Sequence, residues 1–251
     1  MRKRFIVGNW KMNKNIAEAE SFAKVFDAFS SKNKDIIDLG IAPSFLCLAP
    51  LAKISNNFKV IAQNVYYEEK GAYTGEISIP MLKEIGIDMA LVGHSERRMY
   101  FSETNQTCNK KNKALLSNGM IPIYCVGENL EQYNKGESFD IIKKQIEEGL
   151  GSLLATDIEK MVIAYEPIWS IGTGINASAE IAEKMCFFIR NTIAKMYSEE
   201  VAQKVIIQYG GSVKPENVNS YLKTQNIDGV LVGGASLDVT TFINLIEKVI
   251  E

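Results

Sequence analysis

Histidine is nearly absent: His94 is the only one among 251 residues, so metal cages built on several imidazoles are excluded. Cysteine is scarce too. Cys47, Cys108, Cys125 and Cys186 show no CxxC spacing, which argues against a zinc ribbon or a dithiol redox centre and fits reduced, mostly buried thiols in a reducing compartment. Charge of one sign is lacking, since 28 Lys and Arg face 30 Asp and Glu spread through the chain, for a net charge of -2. No track for nucleic acid is expected, and an anion must be held by a local site. No apolar run approaches a membrane span. The basic start, Met1 to Arg4, leads into an apolar stretch broken at Asn9 and Lys11, too short for a signal-peptide core. GxGxxG after the first strand-like run, Walker-type loops and low-complexity segments are all missing. The expectation is a cytoplasmic protein without membrane or nucleic-acid partners.

What is present is an alternation. Eight short apolar runs, Phe5–Gly8, Leu39–Ala42, Val60–Ala62, Met89–Val92, Ile121–Val126, Met161–Tyr165, Val205–Ile207 and Gly229–Val232, are each followed by a helical pattern. Phe22, Val25, Phe26 and Phe29 have i, i+3, i+4, i+7 spacing, and Ile181, Met185, Phe188, Ile189, Thr192 and Met196 share a helix face. Asn118-Gly119 reads as a helix C-cap and Pro215-Glu216 as a helix start. Near-continuous apolar strands joined by helices imply a parallel sheet covered by helices. Eight units in this length predict one α/β domain over 1–251, a closed (β/α)8 barrel with a parallel inner barrel and outer helices. An open doubly wound sheet is the rival, disfavoured by the missing nucleotide fingerprints and linkers.

In such a barrel the working residues sit at the carboxyl ends of strands. Read in order, those ends hold Asn9 and Lys11, Gln63 and Asn64, His94, Ser95 and Glu96, Glu128, Glu166, then Gly210-Gly211-Ser212 and Gly233-Gly234. Glu166 closes an apolar strand, where burial pushes a carboxyl toward neutrality and makes it a useful base. Pro167, Ile168, Trp169 and Ile171, with Gly172-Thr173-Gly174, suit a mobile lid over 167–177 that covers a ligand. Two glycine pairs on successive strands suit a phosphate cradle built from backbone N–H groups. His94 enters a helix N-terminus, which favours a neutral ring able to donate to a carbonyl oxygen. Lys11 is a cation placed to stabilise developing negative charge. Glu96 pairs with Arg97 or Arg98 or serves the site. Together these groups suit proton abstraction beside a carbonyl in a small phosphorylated substrate, through an enediolate that a lid protects from water.

Asn9-Trp10-Lys11-Met12-Asn13, Gly93-His94-Ser95-Glu96-Arg97-Arg98, Tyr165-Glu166-Pro167-Ile168-Trp169, Ile171-Gly172-Thr173-Gly174, Tyr209-Gly210-Gly211-Ser212-Val213 and Gly233-Gly234-Ala235-Ser236-Leu237 resemble the triosephosphate isomerase family from end to end. The resemblance implies a TIM barrel and the interconversion of dihydroxyacetone phosphate and D-glyceraldehyde 3-phosphate in glycolysis and gluconeogenesis, with no cofactor and no metal. It implies Glu166 as base, His94 and Lys11 as electrophiles, Asn9 on the substrate oxygens, Glu96 as an acidic neighbour of Lys11, and phosphate on Gly172, Ser212, Gly233 and Gly234. It also implies a homodimer, with loop 71–76 packed into the partner, Thr74 near the partner's active site and Met12 at the interface. Ile175-Asn176 departs from the family's Lys-Thr after the lid, and Phe101-Ser102-Glu103-Thr104 from a usual Phe-Gly-Glu pattern. Two rivals remain: a Schiff-base aldolase or lyase using Lys11, and a phosphate-binding or adhesive surface protein without turnover.

Overall fold

A computed structural model describes residues 2–171 and 177–250. Eight strands, β1 (Phe5–Asn9), β2 (Asp38–Ala42), β3 (Lys59–Val60), β4 (Met89–Val92), β5 (Ile121–Val126), β6 (Val162–Tyr165), β7 (Ile206–Tyr209) and β8 (Gly229–Val232), pair in parallel in the order β3-β2-β1-β8-β7-β6-β5-β4. The outer two meet through a bridge between Ala62 and Ala90: the Ala62 N–H donates to Met89 at 3.0 Å and the Leu91 N–H to Ala62 at 2.8 Å. That join closes a single (β/α)8 barrel.

Around it lie α1 (Ile16–Asn33), α2 (Phe45–Ala52), α3 (Ile79–Glu84), α4 (Ser95–Tyr100), α5 (Asn105–Ser117) and α6 (Leu130–Asn134). They are followed by α7 (Ser138–Leu150), α8 (Ala155–Ile158), α9 (Ala179–Met196), α10 (Glu199–Lys204), α11 (Val218–Leu222) and α12 (Val239–Ile250). Local chemistry sets several ends. Asn15 and Glu18 exchange side chain and backbone bonds in a capping box that starts α1. Gly119, at φ +72, stops α5 directly after Asn118. No helix of the described residues is long and apolar enough to cross a membrane.

The strands are apolar throughout because they feed two cores. Val7, Leu91, Ile123, Ala164 and Leu231 point into the barrel, whereas Ile6, Ile41, Val92, Tyr124, Ile163 and Tyr209 face the helices. Each such aliphatic side chain contributes about 1.5–3 kcal/mol on burial. All four cysteines are free and buried in these layers. At the base of β8, Asp228 accepts from Arg190 at 2.7 Å, from Arg2 at 2.6 Å and from the Ile207 N–H at 3.0 Å, which locks the strand that carries Gly233 and Gly234.

Three local readings change. The third strand is regular only over Lys59–Val60 and reaches β4 by the single bridge at Ala62. The regular helix starts later than Pro215: residues 215–217 form a turn in which Asn217 accepts from the Lys214 N–H at 2.8 Å and the Val218 N–H donates to the Lys214 carbonyl at 3.0 Å, and this turn leads directly into α11 at Val218. Val25 is 49% exposed, because the buried face of α1 runs through Ala19, Phe22, Ala23, Phe26 and Ser30 and leaves Val25 beside it.

Candidate active site

β6 delivers Glu166 to the carboxyl end of the barrel. The Glu166 N–H continues the ladder to Val126 at 2.7 Å, and the side chain is buried, 2% exposed. Neighbouring strand ends come this close because they end in glycine: a Cβ on Gly127 would collide with the Glu166 carbonyl, and one on Gly210 would stand 3.0 Å from its Cγ. Both carboxylate oxygens are engaged. Oε2 accepts the Ser95 N–H at 2.9 Å, and Oε1 lies 3.1 Å from His94 Nε2. Burial pushes this carboxyl up, but His94, the Ser95 N–H and Lys11 outweigh burial and hold it below the ordinary carboxylate value. The expected rise toward neutrality is therefore not met in this arrangement, because the pocket supplies donors as well as apolar walls.

His94 caps α4, and its Nδ1 accepts the Glu96 N–H at 3.2 Å. Burial alone would draw the ring down; Glu166 and then Glu96 more than offset it and raise the ring above its ordinary value while Glu166 stays alongside. Apart from Glu166, burial and Lys11 draw the ring down while the Glu96 carboxylate raises it. The Glu96 N–H donated to Nδ1 favours a neutral ring with its proton on Nε2, because an imidazolium donates from both nitrogens.

Lys11 follows β1 in a left-handed conformation, φ +54, rare for a residue with a side chain. Two neighbours hold it. Its N–H donates to Asn9 Oδ1 at 3.0 Å, and its carbonyl accepts Gln63 Nε2 at 2.9 Å, an amide that also bonds Ala42 at 2.8 Å. The ammonium meets Glu96 Oε1 at 2.7 Å. Glu96 thus pairs with Lys11 and with neither arginine, since Arg97 is taken by Glu103 at 3.0 Å and Arg98 by Gly93, Asn105, Tyr124 and Cys125.

The glycine-rich ends open on the same space. One cavity of about 760 Å³ is lined by Asn9, Lys11, His94, Glu166, Ile171, Gly210, Gly211, Ser212, Gly233 and Gly234, among others. A Cβ on Gly234 would meet nothing within 4 Å, so this backbone borders open space, and one on Gly233 would lie 3.6 Å from Lys11 Cε. Gly211 is glycine for another reason, since a Cβ there would collide with the Tyr209 hydroxyl. Gly172, and Ile175-Asn176 beyond it, lie outside the described residues.

Where the lid is expected to start, Pro167 leads into a 3-10 turn, Ile168–Ser170. Trp169 does not line the cavity. It donates to Glu128 Oε1 at 2.9 Å and stacks on Tyr133 at 4.2 Å, while the Tyr165 hydroxyl takes the same oxygen at 3.0 Å. Burial pushes the Glu128 carboxyl up despite these donors. Ile168 is fixed through its N–H to the Glu128 carbonyl at 3.0 Å, which leaves Ile171 as the apolar side chain of this turn on the cavity. Three strand-end residues without an expected role also matter. Ser95 acts through a backbone amide invisible to residue type, whereas Gln63 and Glu128 carry a usable signal, their place at strand ends.

Comparison with known proteins agrees with this geometry. Residues 4–249 match the sequence model of the family described as Triosephosphate isomerase. Proteins named triosephosphate isomerase from Streptococcus pneumoniae and Streptococcus gordonii are each 50% identical to the chain over 252 aligned positions, and one from Streptococcus thermophilus is 49% identical, in every case over 99% of both chains.

Proposed function

The chain belongs to the triosephosphate isomerase family, and on that premise we propose that Glu166, His94 and Lys11 interconvert dihydroxyacetone phosphate and D-glyceraldehyde 3-phosphate through an enediolate. As a member, the protein is an isomerase of a phosphorylated triose, a step of glycolysis; the same step serves gluconeogenesis in reverse.

The observation that supports the residue roles is the shared cavity, where the three groups and both glycine pairs meet. The phosphate sits on the backbone of Ser212, Gly233 and Gly234, with Gly172 added from the resemblance. Its binding energy, remote from the reacting carbons, orients them between Asn9, Lys11, His94 and Glu166. Glu166 takes the proton from the carbon beside the carbonyl, and the released electron pair moves onto the carbonyl oxygen. His94 donates to that oxygen from Nε2 and the Lys11 ammonium offsets its charge. The proton of the neighbouring hydroxyl passes to the former carbonyl oxygen by way of His94, and Glu166 returns the abstracted proton to the adjacent carbon, which completes the exchange. This family is itself the standard illustration of a base, a neutral histidine and a closing loop. Because both oxygens of Glu166 are already bonded, the base must leave Ser95 and His94 to reach carbon, and lid closure over 167–177 is the event that moves it.

The fold serves one domain over 1–251. A homodimer is supported by exposed apolar side chains: Met12 is 96% exposed, Leu46 79%, Tyr100 69% and Phe101 63%, and loop 71–76, which carries Thr74, is exposed. The cytoplasm, with its glycolytic substrates, is the compartment that fits. A coupled isomerase assay with inorganic phosphate as competitor tests the reading: turnover inhibited competitively by phosphate is expected. Binding without turnover would overturn it in favour of an anion-binding surface protein, and a borohydride-trapped adduct at Lys11 in favour of a Schiff-base enzyme.

A further inference from the structure

α4 has six residues, too few to hold its own shape without tertiary anchors. Yet its first turn sets two of the contacts on which the site depends, His94 Nε2 to Glu166 and the Ser95 N–H to Glu166. Arg98 lies one turn after His94, and helical side chains lean back toward the N-terminus. Its guanidinium does so here. Nε donates to the Gly93 carbonyl at 2.7 Å, Nη1 to Asn105 Oδ1 at 2.7 Å, and Nη2 to the Cys125 carbonyl at 3.2 Å and the Tyr124 hydroxyl at 3.3 Å. None of these four partners is a carboxylate. The part-buried guanidinium has no carboxylate partner and is held by neutral oxygens and by the Tyr124 ring at 5.7 Å, a setting in which the planar fork fixes geometry, and this fork joins the end of β4 to the end of β5.

Gly93 is the residue through which the fork reaches His94. Its φ is +74, and a Cβ there would stand 2.8 Å from Arg98 Nη2, 2.9 Å from Cys108 Sγ and 3.0 Å from the Cys125 carbonyl. The Gly93 backbone therefore packs directly on the guanidinium. The Gly93–His94 peptide is rigid and planar, so the Gly93 carbonyl, once clamped, dictates where the His94 Cα is placed, and the Ser95 N–H follows from it through the two backbone torsions of His94, φ -51 and ψ 141.

We propose that Arg98 is a positioning residue that clamps the Gly93 and Cys125 carbonyls and thereby aligns both His94 Nε2 and the Ser95 N–H with Glu166. The proposal rests on the roles given above to His94 and Glu166. The test uses Arg98→Lys, which keeps the charge and loses the fork, and reads two independent quantities. Because the chain has one histidine, the imidazole ¹⁵N signals of the full protein are unambiguous. The expected result is displaced His94 signals together with kcat about 10–100-fold lower and KM within about threefold, the size of effect that small misplacements of catalytic groups produce. Unchanged signals overturn the proposal, whether or not kcat falls. Displaced signals with full turnover uphold the clamp and instead remove His94 from the mechanism, which separates the two failures. If Arg98→Lys does not fold, Asn105→Ala loosens the same guanidinium from a half-buried helix position; displaced signals with kcat down about threefold support the clamp, and no change in either overturns it.

Discussion

His94 Nε2 stands 3.1 Å from Glu166 Oε1 while the helix that begins at Ser95 donates to Oε2 at 2.9 Å. The proposed base therefore rests against its own proposed electrophile, and the two cannot be perturbed separately. The distance between them is the sensitive quantity of the site.

Shortening the base tests this first. Glu166→Asp withdraws the carboxylate by about 1 Å, and kcat is expected to fall on the order of 10²-fold with KM changed only a few-fold, since the phosphate contacts proposed at Gly233 and Gly234 are untouched. A coupled assay reads both. An unchanged kcat would remove Glu166 from the mechanism.

Removing the charge tests the coupling. In Glu166→Gln the carboxylate that raises the His94 ring is gone, so the ring pKa should drop, followed by titrating its resonance. A constant or higher value would contradict the pairing. The sign for stability runs through the acid: the Glu166 carboxyl lies below its ordinary value in the folded chain. Its contribution is thus present above the unfolded value of about 4.3 and lost as pH falls through the lower folded one. The difference in Tm between native protein and Glu166→Gln should accordingly narrow in acid.

The glycines separate packing from binding. Gly211→Ala places a Cβ against the Tyr209 hydroxyl, with Ser170 Oγ 2.9 Å away, and should destabilise by about 1–3 kcal/mol in denaturant titration. Gly234→Asp has open space around its Cβ and should fold normally, while its charge opposes the substrate phosphate and raises KM about tenfold or more. A destabilised Gly234→Asp with native KM would invert the assignment.

The assembly has its own test. The native chain should sediment as a dimer at micromolar concentration, and Thr74→Arg, in the exposed loop 71–76, should shift it toward monomer. A native monomer would leave the apolar surface at Met12 and Leu46 unexplained.

Strand ends were readable because a parallel barrel forces apolar residues along every strand, so the first polar residue after each run marks the mouth; Asn9, His94 and Glu166 all stood out this way. Properties that arise only between elements were not. The lowered carboxyl of Glu166 depends on an amide from another strand's helix, the partner of Glu96 on the backbone turn at Lys11, and the inward fold of Trp169 on a carboxylate, Glu128, whose position follows from β5. The offset between Pro215 and the regular start at Val218 is the turn between them, in which the Asn217 side chain accepts the Lys214 N–H.

The join between Ala62 and Ala90 has a kinetic meaning. The other neighbouring strands pair over two to five residues, whereas this seam is a single bridge with two hydrogen bonds, and it runs between the unit bearing Gln63, which grips Lys11, and the unit bearing His94. Breathing motions of the ring should therefore begin there, with the amides of Ala62 and Leu91 trading hydrogen for deuterium ahead of those elsewhere in the staves, and each opening would momentarily pull the ammonium and the imidazole out of step.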